Sequence, residues 1–234
     1  MLVTDLNYFK SHKNLVTEYY AMDRLEKRSN KDWFKNYPVQ DFNYVFNSWG
    51  FRGPDYEQYL GEHVNLCLGD SFTVNMGGPI DHSWPSLLQK QFSMPCLNLG
   101  INGAGNDTIR LIYERACKLF NVKNTFVFYS HLNRSLEDGK FKREPQDHDE
   151  NIEHFKKHQI ESAIFQFIPY WCHTEQEQIY LNSLVEPYLQ LEIDGYLDGK
   201  YVHHIIHTNR DGHHLNLENN QKLADNLWNQ WKHS

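Results

Sequence analysis

The chain has 234 residues, enough for one domain of ordinary size with its own core, or a domain plus a small extension. Its formal charge is −7 and it contains no block of lysine or arginine, which excludes the electrostatic footprint of a nucleic-acid binder. No run approaches the roughly 18 apolar residues of a membrane span, and the opening MLVTDLNYFKSHKN lacks the basic-then-apolar shape of a secretory leader. The four cysteines (Cys67, Cys96, Cys117, Cys172) match no zinc spacing, so a reduced, cytoplasmic protein is expected.

Residues 1–50 hold seven basic and six acidic side chains, so the negative charge resides beyond them. Leu15, Tyr19, Met22 and Leu25 recur at helical spacing and predict one amphipathic helix. An aromatic, irregular stretch follows, and no Gly/Ser/Pro linker separates it from the rest. Residues 1–50 therefore read as an N-terminal extension packed on a main domain of residues 51–234.

From residue 63 strands and helices alternate. Residues 64–68 predict a strand ending in Gly69-Asp70-Ser71. Residues 83–92 predict a helix, with Pro85 in its first turn, where proline is tolerated. A second strand (96–99), a helix (107–120) and a third strand (125–130) follow. Residues 137–158 are charged and read as a surface insertion. A fourth strand (163–168) leads to Pro169-Tyr170-Trp171. Residues 176–191 read as a helix that Pro187 kinks or ends, residues 201–207 as a fifth strand, and 216–231 as a final helix capped by Asn216. This order predicts an α/β, three-layer sandwich with a mostly parallel five-stranded sheet. In such folds the reactive crevice lies beyond the carboxyl ends of the strands.

At those ends stand Asp70 and Ser71, then Asn98, Gly100, Asn102 and Gly103, then His131 and Asn133, then Asp211, His213 and His214. A hydroxyl, an imidazole, a carboxylate, an amide and small-residue backbone are the parts that nucleophilic acyl transfer needs. There is no Gly-x-Ser-x-Gly elbow, no phosphate-binding glycine motif and no His-Glu-x-x-His. His203, His204, His207, His213 and His214 are dense enough to raise a metal centre. On a strand, however, His203 and His207 would stand roughly 13 Å apart, too far for one zinc, which binds at about 2.0–2.1 Å. Neither metal nor cofactor is expected.

In these blocks the chain resembles the SGNH (GDSL-type) hydrolases. Gly69-Asp70-Ser71-Phe72-Thr73 resembles the nucleophile block, and Asn98-Leu99-Gly100-Ile101-Asn102-Gly103 the second block. Residues 126–133 resemble the third strand with its asparagine at Asn133, and Asp211-Gly212-His213-His214 the Asp-x-x-His block. Residues 83–88 resemble the helix that follows the nucleophile turn, and 47–53 a lead-in of one branch. The resemblance implies the flavodoxin-like SGNH hydrolase fold and a Ser71, His214, Asp211 triad. It also implies an oxyanion hole made by the Ser71 and Gly103 N–H groups and the Asn133 amide. One block departs: the family's Gly-x-Asn-Asp reads His131-Leu132-Asn133-Arg134 here, keeping only the asparagine. Asn106 is held as a reserve for that amide.

The function expected is a serine esterase acting on an O-acyl ester, acetyl among the candidates, of a small molecule or carbohydrate. Tyr170 and Trp171 are candidate residues for stacking on a sugar. Two readings stay open beside it: a non-catalytic carbohydrate- or acyl-binding module on the same fold, and an O-acyltransferase using the same triad.

Overall fold

The computed structural model describes residues 7–24, 41–137, 140–143, 148–166, 175–184, 210–211 and 213–234. Along them run α1 (Asn7–His12), β1 (Val16–Thr17), β2 (Tyr44–Val45), β3 (His63–Gly69), α2 (Ser71–Val74), α3 (Trp84–Gln89), β4 (Cys96–Gly100), α4 (Asn106–Ala116), β5 (Asn121–Phe128), β6 (Arg134–Glu137), β7 (Lys140–Arg143), α5 (His148–His158), β8 (Ile164–Gln166), α6 (Glu175–Leu184) and α7 (Leu217–His233).

Four strands form one sheet in the order β4-β3-β5-β8, and every pairing is parallel. Central β3 is buried from Val64 to its end, as a strand covered on both faces must be. On one face Val64, Leu66, Leu68, Leu97, Leu99 and Val127 pack against Ile109 and Ile112 of α4, Phe155 of α5 and Leu181 of α6. On the other, Cys67, Phe126 and Phe128 meet Trp84, Leu87 and Leu88 of α3 and Leu223, Ala224 and Leu227 of α7. This is the three-layer α/β arrangement the alternation predicts. The expected fifth strand, 201–207, lies outside the described residues, as do Tyr170, Trp171 and the Pro187 bend.

The free side of edge strand β4 is occupied by side chains. Gln89 Oε1 accepts the Cys96 N–H, and the Tyr56 hydroxyl donates to the Asn98 carbonyl at 2.6 Å. An edge whose outward groups are taken does not template another strand. The caps follow local sequence: Ser83 Oγ accepts from the Ser86 N–H ahead of α3, and Asn216 Oδ1 accepts from the Asn219 N–H ahead of α7.

Two expectations fail. Residues 15–24 are not helical. β1 pairs antiparallel with β2, and Asn14 and Ala21 adopt φ of 55° and 51°, which a right-handed helix excludes. The residues at helical spacing do not form one buried face: Met22 is exposed, and the buried side chain is the neighbouring Tyr20, whose ring lies 5.4 Å from Tyr44 and 4.9 Å from Phe46. Nor is 137–158 only a surface insertion. It contributes β7, paired antiparallel with β6, and α5, whose Phe155 is fully buried edge-on against Tyr129. The many charges of α5 hid one inward-facing aromatic.

Described helices include none long and apolar enough to cross a membrane.

Candidate active site

The site forms where β3, β4 and β5 end. Central β3 has β4 on one side and β5 on the other, so the turns after these three strands meet at a switch in strand order, where ligand crevices form. The tightness of the first turn explains its glycine: a Cβ on Gly69 would lie 2.0 Å from Thr73 Oγ1 and 2.7 Å from the Phe128 carbonyl. Ser71 is the first residue of α2, so its backbone N–H has no partner within the helix.

Ser71 and His214 are 143 positions apart, and the structure brings them together. His214 Nε2 lies 2.8 Å from Ser71 Oγ. His214 Nδ1 lies 2.5 Å from Asp211 Oδ2. An ionised carboxylate only accepts, so Nδ1 carries the ring proton and Nε2 is left to accept from the serine hydroxyl. The other Asp211 oxygen accepts the backbone N–H groups of His213 and His214 at 3.0 and 3.1 Å. The Phe72 ring packs on the imidazole, 4.6 Å between centroids. All three residues are buried. Burial alone would raise the Asp211 carboxyl. Its interactions with the His214 ring and the two backbone N–H groups outweigh that, holding it below the ordinary aspartate range.

The loops carrying Gly103 and Asn133 are fastened to this turn and to each other. Asp70 Oδ1 caps the Phe72 N–H, while Oδ2 accepts from Ser130 Oγ at 2.9 Å and Arg134 Nη1 at 2.7 Å. Arg134, at the position where the sequence departs from the family pattern, is thus the ion-pair partner of the carboxylate beside Ser71. Sequence reasoning missed this pair, although a buried carboxylate at Asp70 needs a cation and Arg134 supplies one in the next loop but one. Asn106 accepts the Ser130 N–H and donates to the Ser130 and His131 carbonyls. Its amide is therefore committed to tying loops, which removes it as a reserve oxyanion donor. Gly103 is half-buried with φ of 78°. Asn133 is buried, and its Oδ1 has no hydrogen-bond partner among the described residues.

A second residue the sequence did not flag is Asn220 of α7. Its amide donates to Asn75 Oδ1 and to the Leu215 carbonyl, and its oxygen accepts the Trp84 N–H. It links the chain after Ser71 to the chain after His214. The His213 ring sits beside Phe72, and the contact His213 makes to Asp211 is through its backbone N–H. Tyr170, Trp171 and Gly212 lie outside the described residues. Among the described residues no three His, Cys, Asp or Glu side chains gather so as to hold a metal ion. A cavity of about 640 Å³ between Tyr56, Tyr59, Pro85, Lys90 and Asn98 includes none of the Ser71, His214 or Asp211 side chains.

No family model matches the chain, and no curated protein matches it. Among solved structures it is similar to a protein from Desulfitobacterium hafniense DCB-2 assigned to the G-D-S-L family of lipolytic proteins, at 15% identity and a TM-score of 0.46, over 70% of this chain and 96% of that one. It is similar to a carbohydrate acetylesterase from Sinorhizobium meliloti at 10% identity and a TM-score of 0.46, over 74% and 99% of the two chains. It is also similar to a psychrotrophic esterase from Pseudoalteromonas sp., at 14% identity and a TM-score of 0.43, over 73% and 99%.

Two predictions follow from the geometry. A Cβ on Gly105 would stand 2.3 Å from the Arg134 carbonyl oxygen, so Gly105→Ala forces the two loops apart. Urea unfolding is expected to show a loss of about 1–3 kcal/mol, and an unchanged midpoint would contradict the contact. The lowered Asp211 carboxyl stabilises the fold in full above the ordinary aspartate value of about 3.9. That contribution is lost as pH falls through the lower folded value. The stability gap between wild type and Asp211→Asn is therefore expected to be flat down to about pH 5 and to narrow below about pH 4. A gap that widens on acidification would contradict the direction of the shift.

Proposed function

We propose that the chain is a serine esterase of the SGNH type that hydrolyses an O-acyl ester, acetyl among the candidate acyl groups. The observation that carries this is the unbroken chain of hydrogen bonds from Ser71 Oγ through the His214 ring to Asp211.

Each element has a chemical task. A serine hydroxyl attacks an ester carbonyl only when a base takes its proton, and His214 Nε2 is placed to take it. The proton moves from Ser71 Oγ to His214 Nε2 as the Oγ–carbon bond forms. His214 then delivers it to the leaving alcohol, and an acyl-serine remains. Water, deprotonated by the same nitrogen, then attacks the acyl carbon; the carbon–Oγ bond breaks, His214 gives the proton back to Ser71 Oγ, and the carboxylic acid leaves. Asp211 fixes the Nδ1–H tautomer and stabilises the imidazolium. The negative charge on the carbonyl oxygen falls to the Ser71 N–H at the start of α2, with the Gly103 N–H and the Asn133 amide as the further donors. Arg134 answers the departure in the third block, because its bond to Asp70 fixes the turn that carries Asn133 in the family aspartate's absence.

Catalysis is favoured over a ligand-binding module on the same fold because a binding module has no need of a tautomer-fixing carboxylate behind the imidazole. Transfer to an acceptor alcohol in place of water would use the same steps. Tyr170 and Trp171 remain the proposed stacking residues for a sugar ring, and a carbohydrate or small-molecule ester the proposed substrate class.

The test is turnover of p-nitrophenyl acetate. Ser71→Ala is expected to lower kcat by a factor on the order of 10³ or more, and Asn133→Ala by roughly 10²–10³. Ser71→Ala turning over at the wild-type rate would overturn the assignment.

A further inference from the structure

We propose that the N-terminal segment is a working part of the active site: Asp23, Tyr44 and Arg210 form a positioning cluster that sets the Asp211–His214 turn against Ser71. The proposal goes beyond the esterase reading, and rests on it only where turnover is measured.

Arg210 is the residue before Asp211, and its side chain is fully buried. Its Nε and Nη2 both reach Asp23 Oδ2, at 2.8 and 2.7 Å. Nη2 also donates to the Glu18 carbonyl at 2.7 Å, and the guanidinium lies 3.5 Å over the Phe42 ring. These contacts all go to the segment that precedes the sheet.

The cluster closes into a circuit. The Tyr44 hydroxyl donates to Asp23 Oδ2 at 2.7 Å and accepts the Gly77 N–H at 2.7 Å. The Gly77 carbonyl accepts the Arg210 N–H at 3.1 Å. Gly77 belongs to the loop that leaves α2, six residues after Ser71. One ring of bonds therefore runs through the N-terminal segment, the loop behind the serine and the turn that carries the carboxylate and the imidazole. A second arginine strengthens the same grip. Arg52 Nη1 donates to the Val74 and Asn75 carbonyls and Nη2 to the Gly78 carbonyl, while its guanidinium lies 4.3 Å over the Tyr44 ring.

Placing two guanidiniums and a carboxylate in a buried cluster is costly, and hydrophobic residues of similar volume would hold a segment down as well. What charged, bidentate groups add is a fixed direction. Here that direction is imposed on the residue next to Asp211.

The decisive readout is the low-field proton resonance of the His214 Nδ1–H in its bond to Asp211, assigned by its loss in Asp211→Asn. Asp23→Asn removes a buried charge and risks unfolding. Tyr44→Phe deletes one hydroxyl and keeps the ring, and Arg210→Lys keeps the charge without the fork. In both of these variants the resonance is expected to move or broaden. For p-nitrophenyl acetate kcat is expected to fall roughly ten- to a hundred-fold, with KM little changed, as for a misplacement of catalytic groups. Folded variants that keep the wild-type resonance would overturn the proposal and leave the cluster as scaffold. Because the resonance needs no turnover, its outcome decides the positioning role even if the esterase reading fails.

Discussion

The imidazole of His214 is the point on which the arrangement turns. One ring nitrogen faces Ser71 Oγ and the other faces Asp211, and the ring is buried. A buried imidazole with a carboxylate on one nitrogen and a hydroxyl on the other has a fixed tautomer, because the carboxylate only accepts. Asp211 supplies that distinction through one oxygen, while its other oxygen closes the turn that carries the ring. The carboxylate thus shapes the loop and orients the imidazole at once, which is why three positions of spacing suffice.

Ionic and amide groups, more than the apolar core, join the loops around this ring. The sheet and its two apolar layers bring the ends of β3, β4 and β5 to one edge. Within that edge Asp70 reaches from the serine turn to Ser130 and Arg134, Asn106 ties the second loop to the third, and Asn220 joins the chain after Ser71 to the chain after His214. In a low-dielectric setting such bonds are strong when complete and costly when broken. A site built this way holds its parts in one geometry with few alternatives.

The sheet was legible because strand burial writes itself as short apolar runs, as in residues 64–68, and because each run ends in turn chemistry. Ser71, His214 and Asp211 stood out through the resemblance of Gly69-Asp70-Ser71 and Asp211-Gly212-His213-His214 to family blocks, each short enough to be read locally. The Arg134–Asp70 pair was not, since it joins positions 64 residues apart and neither alone announces a partner. Asn106 illustrates the converse. An asparagine beside the site suggested an oxyanion donor, but its amide is spent on backbone groups of the third loop. The N-terminal segment misled for a different reason. Leu15, Tyr19 and Met22 fall at helical spacing, yet the buried side chain is Tyr20, packed on Tyr44 and Phe46 far along the chain, a contact that periodicity does not see.

The most direct test is chemical. Incubation of the wild-type protein with a fluorophosphonate, followed by proteolysis and mass spectrometry of the peptides, reports which oxygen has been activated. One adduct is expected, on Ser71, and none in His214→Ala. A protein left unlabelled, or one whose adduct sits on another residue, would contradict it.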